Sequence, residues 1–195
     1  MCSISGIICR VQDEEKSYHL ILDIIEPFIT SLVVFLVIYL WVAFLEAVSG
    51  ASMEPTLHTG DRILVERLTP KFKGLNRGDI VILHPPGNDT KDYVKRVIGL
   101  PGEIIRISDC NVYISKDGQT FKLNEPYLAP DTCTMGGPII KDGRARKLNA
   151  DEYVVLGDNR GKSADSRIFG PINKDNSVLG KVVYRVWPVN SFGSL

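Results

Sequence analysis

The sequence has no Cys-x-x-Cys pair, only three histidines, and no run of lysine and arginine dense enough to follow a phosphate backbone. The first absence leaves a zinc site without its usual ligand spacing. The last, with 23 basic against 23 acidic residues and a formal net charge of zero, argues against nucleic acid as a partner. The histidines are His19, His58 and His84, too few and too scattered to favour a Ser-His-Asp hydrolase. His58 is near Ser52 in sequence, but "GASME" lacks the second glycine of a G-x-S-x-G elbow, and no helix is expected after it. A phosphate loop is also missing: "GKS" ends at Ser163, yet Leu156 stands where the first glycine is required. There is no internal repeat and no low-complexity tract. Of four cysteines, Cys2 and Cys9 precede the main apolar run, while Cys110 and Cys133 follow it. The latter two either pair in an oxidising compartment or stay free thiols in a small core.

What is present begins with "FITSLVVFLVIYLWVAFL", Phe28 to Leu45, without a charge. At 1.5 Å per residue it reaches about 27 Å, near the hydrocarbon thickness of a bilayer, and predicts one transmembrane helix over 27–46. A cleaved signal peptide would have a shorter apolar core and a small-residue end, which Phe44, Leu45 and Glu46 do not supply. A buried globular helix would show a polar face. Residues 1–26 form a polar lead-in. Arg10 and Lys16 precede the run and Arg62 is the first basic residue after it, so the N-terminus is expected in the cytoplasm and residues 47–195 outside it.

Beyond the run the apolar period changes to two. "DRILVERL", "GDIVILH", "DYVKRVIGL", "EIIRIS", "NVYIS", "TFKLN", "EYVVLG" and "KVVYRVW" are short β-branched and aromatic stretches separated by Gly, Pro, Asn and Asp. They predict a mainly β, antiparallel domain. Asp117-Gly118 between two alternating runs predicts a tight hairpin. About 109–150 is richer in turn formers and reads as a smaller, less regular insertion. Arg77-Gly78-Asp79 reads as the start of a strand, and Asn88-Asp89-Thr90 fits a glycosylation acceptor, relevant only in a eukaryotic secretory pathway.

Three stretches can carry chemistry. "SGASMEPTL" sets Ser52 in a stiff turn soon after the apolar run. "DYVKRVIGLPG" puts Lys95 on one strand face with Tyr93 and Val97, and Val94, Arg96 and Ile98 on the other. A lysine acts as a base only when burial lowers its pKa; exposed, it is an ordinary strand lysine reaching past apolar neighbours. "GDNRGKSADSRIFGP" gathers Asp158, Arg160, Lys162, Ser163, Asp165, Ser166 and Arg167 into one loop, which is either solvated or catalytic.

In order and separation these stretches resemble type I signal peptidases, the membrane-bound serine-lysine endopeptidases that remove signal peptides from exported preproteins. The resemblance runs from Ser49 to about Pro188. It implies a pair of antiparallel β-sheets, with Ser52 as nucleophile, Lys95 as general base and Ser163 as a second hydroxyl orienting the amine. Asp165 and Arg167 would form a supporting salt bridge, and Asp158 would buttress the same loop. Gly50, Met53, Tyr93 and Val94 would line the oxyanion and substrate pockets, with Gly50 standing where some members carry a serine. The implied partners are preproteins, the lipid bilayer and the protein export machinery, at the cell membrane or an organelle membrane, with no metal or organic cofactor. A catalytically silent, membrane-anchored β-domain that binds extended peptides at a sheet edge is the alternative from another class. A self-cleaving serine-lysine repressor would carry a DNA-binding helical module in place of the apolar run.

Overall fold

The structure, a computed structural model, describes residues 23–39, 41–87 and 90–195. The polar lead-in up to residue 22, with Cys2, Cys9, Arg10, Lys16 and His19, and the Asn88-Asp89 half of the glycosylation motif lie outside the described residues. The chain divides into two units, Met1–Trp41 and Val42–Leu195.

In the first unit, residues 23–39 form helix α1. Thr30 and Ser31 turn back onto the helix, Thr30 Oγ1 donating to the Glu26 carbonyl at 2.8 Å and Ser31 Oγ to that of Phe28 at 3.0 Å. The apolar side chains around it, Phe28 and Phe35 among them, are exposed. Among the described residues no helix is long and apolar enough to cross a membrane.

The apolar run does not continue as helix to its end. Ala43–Ala47 is strand β1, paired antiparallel with β2 (Arg62–Glu66) in the register Ala43↔Glu66 to Ala47↔Arg62. The predicted span of 27–46 is therefore corrected at its C-terminal side, and the β-domain begins before residue 47. Hydropathy cannot separate an apolar strand from the apolar helix it directly follows. Here the open backbone edge of β2 takes up the pairing, and Phe44 packs on the core with the Arg67 guanidinium carbon 4.6 Å from its ring centre.

The second unit holds two antiparallel sheets. The larger runs in the order β1, β2, β11 (Val178–Trp187), β3 (Ile80–Leu83), β4 (Tyr93–Gly99), β9 (Glu152–Leu156) and β10 (Ile172–Asn173), with β12 (Gly193–Ser194) on β11. The smaller runs β7 (Gln119–Lys122), β6 (Asn111–Lys116), β5 (Ile104–Ser108) and β8 (Arg146–Lys147). All eight strands expected from the sequence form. The Asp117-Gly118 hairpin joins β6 to β7, with both turn residues at positive φ, 52° and 79°. Ile104–Ser108 belongs to the smaller sheet, so the insertion expected at about 109–150 already begins at Ile104, after the turn at Pro101-Gly102.

Alternation explains why β3, β4 and β9 lie at the centre. Ile80 and Ile82 of β3 enter one core cluster, and Val81 and Leu83 enter another. In β9, Val154 and Leu156 face Ile98 and the smaller sheet, whereas Tyr153 and Val155 face Val97 and Ile172. A strand apolar on both faces is stable only when both faces are covered. The two sheets share the cluster of Ile98, Ile105, Ile107, Val112 and Ile114. Cys110 and Cys133 form a disulfide, which decides between the two states left open above.

Candidate active site

Ser52 sits in the turn that follows β1. The turn is pinned by Met53 and Leu57, whose side chains are 1% and 0% exposed and whose backbones are joined by a 2.9 Å bond from Leu57 N to Met53 O. Burying two side chains of this size stabilises the turn by about 1.5–3 kcal/mol each. Gly50 has φ of +99°, a conformation that a serine would adopt only under strain. Its N–H donates to Thr59 Oγ1 at 3.1 Å.

Lys95 lies in β4 opposite Val81 of β3, and only 3% of it is exposed. Its Nζ is hydrogen-bonded to Ser52 Oγ at 2.9 Å and donates to the Val94 carbonyl at 2.8 Å. The Tyr93 ring lies beneath the amine, 5.1 Å from Nζ to its centre. Burial lowers the Lys95 pKa from its ordinary 10.5 to about 8, against the attraction of the Asp165 and Asp158 carboxylates. Ser52, Lys95, Met53, Tyr93, Val94 and Gly50 all line one cleft of about 570 Å³.

The loop after β9 closes against the back of Ser52. Gly157 has no room for a side chain: a β-carbon there would meet the Ser52 carbonyl oxygen and Ser163 Oγ. Asn159 donates its N–H to that same carbonyl at 3.0 Å. Asp158, 1% exposed, accepts Arg96 Nε at 2.9 Å, Arg96 Nη2 at 2.7 Å and Thr56 Oγ1 at 2.5 Å, joining loop, β4 and serine turn. Asp165 is fully buried, accepts Arg167 Nε and Nη2 at 2.8 Å each, and receives Gly157 N at 3.1 Å. It also caps helix α3 (Ser166–Phe169) by accepting Arg167 N, as short polar side chains do at helix starts. Two further short helices are α2 (Leu68–Phe72) and α4 (Lys174–Ser177).

All ten residues singled out in the sequence thus lie in the cleft or the loop behind it, with one difference in detail. Ser163 Oγ is buried without a hydrogen-bond partner among the described residues, and the amine it was expected to orient instead bonds Ser52 and the Val94 carbonyl. His58 is exposed; its N–H bonds Asp61 Oδ2.

Sequence reasoning missed the roles of Thr56, Arg96, Gly157, Asn159, Arg160 and Ser166 around this loop. One signal was present: strand alternation puts Arg96 between Val94 and Ile98, and a charge on an apolar face must find a partner. Ser166 was named in the loop, but nothing in the sequence pointed to its Oγ accepting Val155 N at 2.9 Å.

Residues 21–187 match the family model described as signal peptidase, peptidase S26. The chain is 35% identical over 184 residues to signal peptidase IB of Staphylococcus aureus strain COL, covering 87% of this chain and 93% of that one. It is 33% identical over 179 residues to the probable signal peptidase I-2 of a Synechocystis species, covering 89% and 77%. A crystal structure of a signal peptidase I from Enterococcus faecalis is 29% identical, covers 56% of this chain and 97% of that chain, and has a TM-score of 0.45. On the family match and these identities, the chain belongs to the type I signal peptidases of peptidase family S26.

Proposed function

We propose that the chain is a membrane-anchored serine endopeptidase that removes N-terminal signal peptides from exported preproteins, with Ser52 as nucleophile and Lys95 as general base. The observation that carries this reading is the 2.9 Å contact between a buried amine and a cleft-facing hydroxyl. Neutral Lys95 takes the proton from Ser52 as Oγ attacks the scissile carbonyl. The amine then gives that proton to the leaving nitrogen, and the acyl-enzyme is hydrolysed by a water that Lys95 deprotonates.

With the Gly50 N–H engaged by Thr59, the Ser52 N–H is the donor assigned to the oxyanion. Ser163 Oγ, buried and without a hydrogen-bond partner among the described residues, is the hydroxyl assigned to orient the amine. The Asp165–Arg167 pair and Asp158 hold the loop that backs the serine. Gly50, Met53, Tyr93 and Val94 line the cleft that holds Ser52, and they are the residues assigned to select alanine-like side chains at and before the cut.

The exposed apolar surface of α1 supports anchorage by the N-terminal segment in the cell membrane or an organelle membrane. The Cys110–Cys133 disulfide supports an oxidising, extracytoplasmic side for the β-domain. Anchoring enzyme and signal sequence in one bilayer raises their effective concentration, and the export machinery delivers the preprotein to the same place.

The test uses the full chain in detergent and a preprotein with an alanine-x-alanine cut site. Wild type should release the mature protein, and Ser52→Ala and Lys95→Ala should not. Absence of cleavage by wild type would favour a silent peptide-binding domain, and normal cleavage by Lys95→Ala would remove the lysine base.

A further inference from the structure

Residues 124–128, the strap that follows β7, cover two buried arginines. Both arginines hold the loop behind Ser52. Arg96 grips Asp158 with two bonds and so reaches Thr56 on the serine turn. Arg160 donates through Nε to the Gly157 carbonyl at 3.0 Å, and its own carbonyl receives Arg167 Nη2 at 2.8 Å. The strap meets each of them. The Arg96 guanidinium carbon lies 4.0 Å from the centre of the Tyr127 ring. Glu125 takes Arg160 with both carboxylate oxygens, at 2.5 and 3.2 Å, and its Oε1 also accepts the Tyr127 hydroxyl at 2.7 Å.

We propose that Glu125 and Tyr127 are positioning residues for peptide cleavage, acting from the smaller sheet through Arg160 and Arg96 on the loop that holds Ser52. A guanidinium stays charged at any working pH, so one buried without a counter-charge must move or draw in water. The Arg160 side chain is 0% exposed, and Glu125 is its carboxylate partner. Loss of that carboxylate therefore displaces Arg160, and with it the adjacent Asn159 N–H that bonds the Ser52 carbonyl. The Tyr127 ring keeps water from Arg96, where a cation–ring contact is strongest. Burial and the bond to Glu125 push the Tyr127 hydroxyl far above its ordinary pKa, so it remains a donor throughout. Thr134 Oγ1, one residue from the disulfide, accepts a further bond from Arg160 and ties the far end of the same segment.

The inference rests on the peptidase reading, and its test separates the two. Cleavage of an alanine-x-alanine peptide is measured with the full chain in detergent, each variant well below its melting temperature. Tyr127→Leu and Glu125→Gln should lower kcat by about 10- to 100-fold with KM within about three-fold, the effect of a small misplacement of reacting groups. Tyr127→Phe keeps the ring over Arg96 and should recover most of the loss. A kcat within about three-fold of wild type in both variants, or a loss confined to KM, overturns the proposal. If Tyr127→Leu does not fold, Glu125→Gln, which keeps the side-chain shape, decides alone. Amide hydrogen exchange at Asn159 is followed in parallel: faster exchange in the strap variants is expected, and unchanged exchange again overturns it. If wild type cleaves nothing, the peptidase reading fails while the exchange measurement still decides the strap.

Discussion

A β-carbon added at Gly157 would stand 2.5 Å from the carbonyl oxygen of Ser52. The loop backbone and the backbone of Ser52 are in direct contact there, because the Asn159 N–H two residues on must reach that same oxygen. Gly157→Ala is expected to push the loop off the serine turn, costing about 1–3 kcal/mol of stability as overpacking does. Activity should fall through kcat, and comparison of urea midpoints with kcat and KM checks both effects.

The buried amine predicts the pH dependence of cleavage. In the proposed mechanism Lys95 acts as a base only when neutral, and its pKa is lowered to about 8. Cleavage should therefore rise with pH along a limb centred near 8, with activity at pH 6 about one hundredth of the plateau. A limb centred near 10 would mean that the amine is solvated in the working enzyme.

Stability carries the same signature. Because the folded pKa is below the unfolded 10.5, the unfolded chain binds more protons between about 8 and 10.5, and wild-type stability rises with pH across that window. Relative to Lys95→Met, the gain should be about 3 kcal/mol and should be flat below about pH 8. Parallel urea titrations of the two proteins at pH 7 and pH 10 measure it.

Asp165 bears on both properties. Asp165→Asn leaves the Arg167 guanidinium buried without its carboxylate, which is expected to cost about 3–5 kcal/mol in chemical denaturation. It also removes a negative charge that raises the Lys95 pKa, so the ascending limb of the pH–rate profile should move below 8.

The disulfide closes a loop between residues 23 apart in sequence. Replacing Cys110 and Cys133 by serine should lower stability by about 3 kcal/mol through the larger entropy of the open unfolded chain. Denaturation of wild type under reducing conditions should approach the value of the double variant.

The eight strands and the hairpin were legible because their signals are local, whereas Ser52 and Lys95 were brought together only by the resemblance to a known family. A period of two and Asp117-Gly118 in a turn are properties of short windows. Strand β1 was hidden because it continues the hydropathy of the helix before it, and only the free edge of β2 distinguishes the two. Sequence alone therefore determined eight of the strands and, through the family resemblance, which serine, lysine and loop belong together. Tertiary structure decided how charge is neutralised in the interior. Arg96 with Asp158, and Arg160 with Glu125, are separated by 62 and 35 residues, and ion pairing depends on distance in space, which no window of sequence contains.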